Sequence, residues 1–221
     1  MQRAWVGDGV SRARFPAFYP IVDAEIAEEY GWTAADLGKA LFDGGATVVQ
    51  LRCTSYSLAR FLSCADELVA RASRYGAQVI INDRIDIAIM SGADGVHVGQ
   101  DDLPVRLAKQ LLDSRSIVGV STHTPEQFSA VRLLDVDYAA VGPIYETRTK
   151  ETGYSAVGLE AIKLACSFGE SVPLVAIGGI TLENGLDVLA AGATSLAVIS
   201  DVFTGGDPTQ RTRDYVERFS V

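Results

Sequence analysis

Eight short apolar runs recur along the chain, at residues 18–22, 47–50, 79–81, 95–98, 117–120, 138–141, 174–177 and 196–199. Glycine precedes three of them, in Gly44-Gly45-Ala46, Gly92-Ala93 and Gly192-Ala193, where it supplies the left-handed turn that ends a helix just before a strand. A fourth, residues 138–141, comes after Asp135-Val136-Asp137. The segments between the runs carry helical spacing. The clearest is Leu58, Phe61, Leu62, Ala65, Leu68, Val69 and Ala72, opened by Ser57 as a cap and closed by Gly76. Further helices are expected after Asp83, Pro104, Pro125, Gly158 and Leu182. Strands apolar on both faces belong to parallel sheets covered by helices, and a βαβα alternation makes right-handed crossovers. Eight such units predict a single-domain (β/α)8 TIM barrel, an α/β fold. An open doubly wound sheet is the alternative, but no Gly-x-Gly-x-x-Gly follows the first strand, and Gly178-Gly179 comes only after the seventh.

With 221 residues and 48% hydrophobic content, the chain has enough apolar material for one core without staples. Nothing in the composition divides it, so residues 17–221 are read as the barrel and residues 1–16 as a loosely ordered N-terminal arm. Residues 142–158 are long for a βα connection, which marks a candidate lid. A formal net charge of −9 repels nucleic acid at long range, and no apolar run is long enough to span a membrane. Neither nucleic acid nor membrane is therefore expected as a partner, while a homo-oligomer is left open. Three separated cysteines, Cys53, Cys64 and Cys166, suit reduced thiols, and a cytoplasmic location is expected. Cys53 adjoins Arg52, but neighbouring strand residues point to opposite faces, so it is read as packed.

Barrels place their sites at the carboxyl ends of the strands, and here those ends are polar almost without exception. Strand two ends in Gln50 and Arg52, strand three in Asn82 and Asp83, and strand four runs into Gln100, Asp101 and Asp102. Strand five delivers Ser121, Thr122 and His123, strand six leads to Thr147, Thr149 and Lys150, strand seven ends in Gly178-Gly179, and strand eight in Ser200. The ends of strands seven and eight are where barrels commonly hold a phosphate monoester. Asp83 and Asp102 would each repel a polyanion by about 4 kcal/mol per charge pair at ~4 Å and an effective dielectric near ~20. A hard divalent cation removes that conflict, and magnesium typically takes one or two carboxylates plus substrate phosphates. The same aspartates also stand where they would cap the helices near Arg84 and after Pro104. Arg52 offers a planar fork to phosphate oxygens and Lys150 a mobile point charge, although either would serve equally as the partner of a nearby aspartate. His97 reads as a satisfied core residue, and His123 as a rim residue of open role.

The strings Val49-Gln50-Leu51-Arg52, Ile81-Asn82-Asp83-Arg84, Gly95-Val96-His97-Val98-Gly99-Gln100-Asp101-Asp102, Gly119-Val120-Ser121-Thr122-His123-Thr124, Gly142-Pro143-Ile144-Tyr145-Glu146-Thr147-Arg148-Thr149-Lys150 and Ala176-Ile177-Gly178-Gly179-Ile180 together resemble the thiamine-phosphate synthase family. The resemblance implies magnesium-dependent condensation of 4-amino-2-methyl-5-pyrimidinylmethyl diphosphate with thiazole phosphate, through diphosphate departure and capture of a pyrimidine carbocation. By motif, Gln50, Arg52, Asn82, Ser121 and Lys150 would contact the pyrimidine diphosphate, with Arg52, Ser121 and Lys150 as the catalytic set. Asp83 and Asp102 would hold magnesium, and Thr147, Thr149, Gly179, Ile199 and Ser200 the thiazole phosphate. One departure stands out: the family pattern Gln-x-Arg-x-Lys is here Gln50-Leu51-Arg52-Cys53-Thr54, without the lysine. The rival readings are a thiazole tautomerase using His123 as acid or base, and a non-catalytic binder of thiazole or thiamine phosphate. A phosphosugar epimerase is disfavoured by the presence of only two histidines.

Overall fold

The expected strand–helix alternation closes on itself. A computed structural model describes residues 15–147, 155–168 and 172–219. In it eight parallel strands form a closed barrel in sequence order, with the eighth pairing to the first. The strands are β1 (Phe18–Asp23), β2 (Val48–Arg52), β3 (Gln78–Asn82), β4 (Gly95–Val98), β5 (Ile117–Thr122), β6 (Tyr138–Val141), β7 (Leu174–Ile177) and β8 (Ser195–Val198). Two helices, α1 (Ala24–Glu29) and α2 (Ala34–Asp43), join β1 to β2; the sequence pattern had marked only a helix end at Gly44-Gly45, which is where α2 stops. The later connections carry α3 (Leu58–Tyr75), α4 (Ile85–Ser91), α5 (Val105–Leu111), α6 (Pro125–Ala130), α7 (Gly158–Ser167) and α8 (Gly185–Ala190). A terminal α9 (Pro208–Phe219) packs on α2 and β1.

The helix limits follow local chemistry. Ser57 caps α3 by accepting the Arg60 N–H, and Gly76 ends it in the left-handed region at φ 65°. Asp83 and Asp102 do not cap the helices next to them: the cap positions of α4 and α5 are Arg84 and Pro104, and neither helix has a side-chain cap bond. That corrects the capping expectation, and the reason is backbone geometry. Asp83 itself holds φ 61°, so the chain turns out of β3 before the helix begins.

Alternation along each strand divides the core in two. Val22, Val49, Leu51, Val79, Ile81, Val96 and Val98 face the helices, whereas Tyr19, Ile21, Val48, Ile80, Tyr138, Ala140, Val175 and Ala197 fill the barrel interior. Of residues 1–16, only Phe15 and Pro16 are described. Phe15 is tied in: its ring lies 4.6 Å from that of Tyr138 and 5.1 Å, edge-on, from that of Tyr19. Among the described residues no helix is long and apolar enough to cross a membrane.

Candidate active site

One cavity opens at the carboxyl ends of the strands. From β2, β3 and β5 it receives Gln50, Arg52, Asn82 and Ser121; from the later strands and their loops it receives Thr147, Gly179, Ile199 and Ser200. Eight of the ten residues expected to touch substrate therefore share one space. The other two, Thr149 and Lys150, lie outside the described residues.

Arg52 is not a lone cation. It faces Asp23 in the β1–β2 register, and its Nη1 donates to Asp23 Oδ2. Asp23 is 2% exposed, and its other oxygen caps α1 by accepting the Ile26 N–H at 3.1 Å. Arg52 Nε is buried and finds no acceptor among the described residues. The guanidinium is thus pinned on one side by a buried carboxylate while it lines the cavity on the other.

The loop after β2 is held by the same helix. Glu25 Oε1 accepts the N–H groups of Thr54 at 2.8 Å and Ser55 at 2.7 Å, and the Ser55 hydroxyl at 2.9 Å. Burial alone raises the Glu25 pKa, but the N–H groups of Ser55 and Thr54 outweigh it and hold the carboxyl below its ordinary value. One turn on, Glu28 accepts from Tyr56 Oη at 2.6 Å and pairs with Arg60, whose guanidinium lies 3.7 Å from the Tyr56 ring centroid. Thr54 is exposed and does not line the cavity. Cys53 points to the helix side and packs on the core, where burial pushes its thiol pKa up, away from thiolate chemistry.

Beneath the mouth, polar side chains cross the barrel interior. Gln50 Nε2 donates to Tyr19 Oη at 3.0 Å, Tyr19 Oη meets Tyr138 Oη at 3.0 Å, and Tyr138 Oη meets His97 Nδ1 at 2.9 Å. His97 Nε2 then meets Ser121 Oγ at 2.8 Å. His97 is indeed buried and satisfied, as its place in a strand suggested, but it also borders the cavity. Gly119 stands between His97 and Tyr138 in the register of β4, β5 and β6. A Cβ there would fall 2.0 Å from the Tyr138 ring, so only glycine leaves room for the two side chains to meet across β5.

Asp83 and Asp102 share the rim of two adjacent strands. Asp83 directly succeeds β3, with its N–H donating to His97 O at 2.7 Å, and Asp102 reaches back to accept the Gly99 N–H just beyond β4 at 2.7 Å. Both supply hard oxygen donors of the type a magnesium-type ion takes, just beyond the ends of β3 and β4, although neither lines the cavity itself. Among the described residues no three His, Cys, Asp or Glu side chains gather to hold an ion on their own. An ion held by these two carboxylates would need its other oxygens from solvent or ligand.

Across the mouth, Gly178 and Gly179 hold φ 102° and 63°, and both lie against the loop after β6. A Cβ on Gly178 would come within 2.6 Å of Pro143, and one on Gly179 within 2.8 Å of Tyr145. The pair therefore does more than turn the chain: it lets two loops close on each other. The described stems of the expected lid are fastened accordingly, Ile144 N to Ile177 O at 2.8 Å, Tyr145 N to Gly178 O at 3.0 Å and Val157 N to Pro143 O at 2.8 Å. Residues 148–154, where the lid reading mainly falls, lie outside the described residues. His123 borders the cavity, and its Nδ1 lies 2.6 Å from the Gly142 carbonyl, so that nitrogen carries the proton.

Three participants escaped the sequence reading. Asp23 ends β1 as Arg52 ends β2, and the polar residue closing the first apolar run is a signal that could have found it. Tyr19 and Tyr138 are polar tips on otherwise apolar strands, and inward alternation finds them only once the register is known.

Comparison with known proteins converges on one family. The family model described as "Thiamine monophosphate synthase" matches residues 18–202. The thiamine-phosphate synthase of Koribacter versatilis is 41% identical over 209 residues, covering 94% of this chain and 97% of that protein. That of Chloroflexus aurantiacus is 41% identical over 204 residues, covering 92% of each. Among solved structures, a thiamine phosphate pyrophosphorylase from Pyrococcus furiosus superposes with a TM-score of 0.82 at 26% identity, covering 95% of this chain and 99% of that one.

Proposed function

The chain belongs to the thiamine monophosphate synthase family, and on that premise we propose that it is a transferase joining a pyrimidinylmethyl diphosphate to thiazole phosphate, with release of diphosphate. The observation that carries the reading is the single cavity lined on one side by Gln50, Arg52, Asn82 and Ser121 and on the other by Thr147, Gly179, Ile199 and Ser200. On this reading each of the two phosphorylated partners takes one of these two sets of residues. The bond from the pyrimidinylmethyl carbon to the diphosphate oxygen breaks, and its electron pair leaves with diphosphate. The thiazole nitrogen then donates its lone pair to the carbon, forming the C–N bond of thiamine phosphate.

Such a reaction needs no protein nucleophile. It needs charge stabilisation and positioning, and the cavity's groups suit both. Arg52, held by Asp23, turns its remaining N–H donors toward the leaving group, and Lys150 is assigned a second positive charge there by motif. Asn82, Gln50 and Ser121 orient the pyrimidine. Thr147, Thr149, Gly179, Ile199 and Ser200 hold the thiazole phosphate, which fixes the nitrogen along the line of attack. Asp83 and Asp102 would hold magnesium, which when bound supplies charge neutralisation at the diphosphate.

Incubating the purified chain with both phosphorylated substrates and magnesium tests this. The expected result is thiamine phosphate and diphosphate in equal amounts, dependent on the metal. Isomerisation of the thiazole alone would assign the chemistry to His123 instead, and tight thiazole phosphate binding with neither product would make the chain a binding protein.

A further inference from the structure

The hydrogen bonds inside the barrel have a direction that fixes what the cavity can recognise. Each hydroxyl has one proton to give, and each neutral imidazole has one donor and one acceptor nitrogen. Gln50 turns its amide nitrogen to Tyr19 Oη at 3.0 Å, so Tyr19 accepts there and gives its own proton to Tyr138. Tyr138 gives its proton to His97 Nδ1, which leaves the His97 proton on Nε2, facing Ser121 Oγ at 2.8 Å. Ser121 has then accepted inside the barrel, and its own O–H is turned to the cavity, while the Gln50 carbonyl is the face of the amide that Tyr19 does not use. Any other sense for one link leaves a buried hydroxyl proton without an acceptor, unless the whole chain reverses at once and the Gln50 amide turns over with it. Tyr19 and Tyr138 are 1% and 0% exposed, so a single broken link strands a buried hydroxyl away from water and the five groups switch together.

We propose that Gln50, Tyr19, Tyr138, His97 and Ser121 form one polarised relay that makes the cavity present a hydrogen-bond acceptor at Gln50 and a donor at Ser121, and so select a ligand ring bearing both an amino N–H and an acceptor nitrogen. His97 and the two tyrosines are then positioning residues: they act through Gln50 and Ser121. An aminopyrimidine carries that pair, and this part of the inference rests on the synthase reading. The relay itself does not.

The imidazole nitrogens of His97 report the polarity directly in isotope-edited NMR of the unliganded, full-length chain. There are two histidines, and His123→Gln assigns the signals. The expected state of the native chain is neutral His97 with the proton on Nε2; a proton on Nδ1, or on both nitrogens, overturns the proposal. Gln50→Glu places an acceptor-only group beside Tyr19, and is expected to reverse the relay and move the His97 proton to Nδ1. In the Gln50→Glu, Tyr138→Phe double variant the relay is cut and the change at His97 is expected to vanish. A His97 tautomer that ignores Gln50→Glu in a folded variant, or responds to it without Tyr138, contradicts the relay. If Gln50→Glu does not fold, the native tautomer alone still decides the polarity. In turnover, Tyr138→Phe is expected to lower kcat/KM about tenfold for the pyrimidine substrate while the KM for thiazole phosphate holds. Loss of both in equal measure points to a structural role and contradicts the selectivity. Absence of synthase activity with the tautomer switch intact would displace the substrate and leave the relay standing.

Discussion

Asp23 Oδ1 caps α1 while its Oδ2 neutralises Arg52, so one buried carboxylate sets both the entry of a helix and the aim of a guanidinium. A buried pair of this kind gives little net stability, but it decides where Arg52 points. Thr54 marks the opposite case, a position where this chain has no charge and its family pattern has lysine. The Thr54 backbone N–H bonds Glu25, and its side chain is exposed, so replacing the side chain leaves the loop's anchor intact. Thr54 does not itself line the cavity, so Thr54→Lys tests whether a longer, charged side chain reaches the diphosphate: the expected gain is about 1–3 kcal/mol of leaving-group stabilisation, or roughly tenfold to hundredfold in kcat/KM for the diphosphate substrate. Steady-state kinetics of this variant check the placement, and an unchanged or lower kcat/KM removes Thr54 from the neighbourhood of the diphosphate.

At the scale of elements, α1 acts as a strap along the β2–α3 connection. Asp23 takes Arg52, Glu25 takes the Thr54 and Ser55 amides, and Glu28 takes Tyr56 and Arg60. The Glu25 carboxyl is held below its ordinary pKa in the folded state, so folding favours its ionised form. Its contribution is therefore fully present above the unfolded carboxylate value and is lost as pH falls through the lower, folded one. Hydrogen exchange at the Thr54 and Ser55 amides, corrected for intrinsic rates, is expected to show protection near neutral pH that is lost once the pH falls below the ordinary carboxylate range. Glu25→Ala is expected to remove that protection at every pH, at a cost of about 1–3 kcal/mol in local stability. Protection that survives the substitution would mean that the loop is held by something other than α1.

For the whole molecule, the sequence carried the architecture because a parallel barrel writes itself as a repeated unit: each apolar run became a strand, and Gly76 and Gly92 ended helices in the left-handed region as expected. α1 escaped because it is only six residues long and lacks a full amphipathic period, whereas Gly44-Gly45 marked the end of α2. The rim was legible for a related reason, since barrel closure brings strand ends together whatever their separation in sequence. Pairing across the barrel could not be read. Arg52 with Asp23, and His97 with Tyr138, depend on register, and no local pattern encodes that Gly119 opens the gap between two side chains on strands that are not neighbours.

The proposed synthase chemistry assigns Asp83 and Asp102 a joint metal role, separate from the residues assigned to the thiazole phosphate. The decisive measurement is thiamine phosphate formation by Asp83→Ala across a magnesium titration, alongside its affinity for thiazole phosphate by calorimetry. Metal-dependent product formation is expected to be lost while thiazole phosphate binds as tightly as to the native chain. Native rates and an unchanged magnesium dependence in the folded variant would contradict the metal role of the two aspartates.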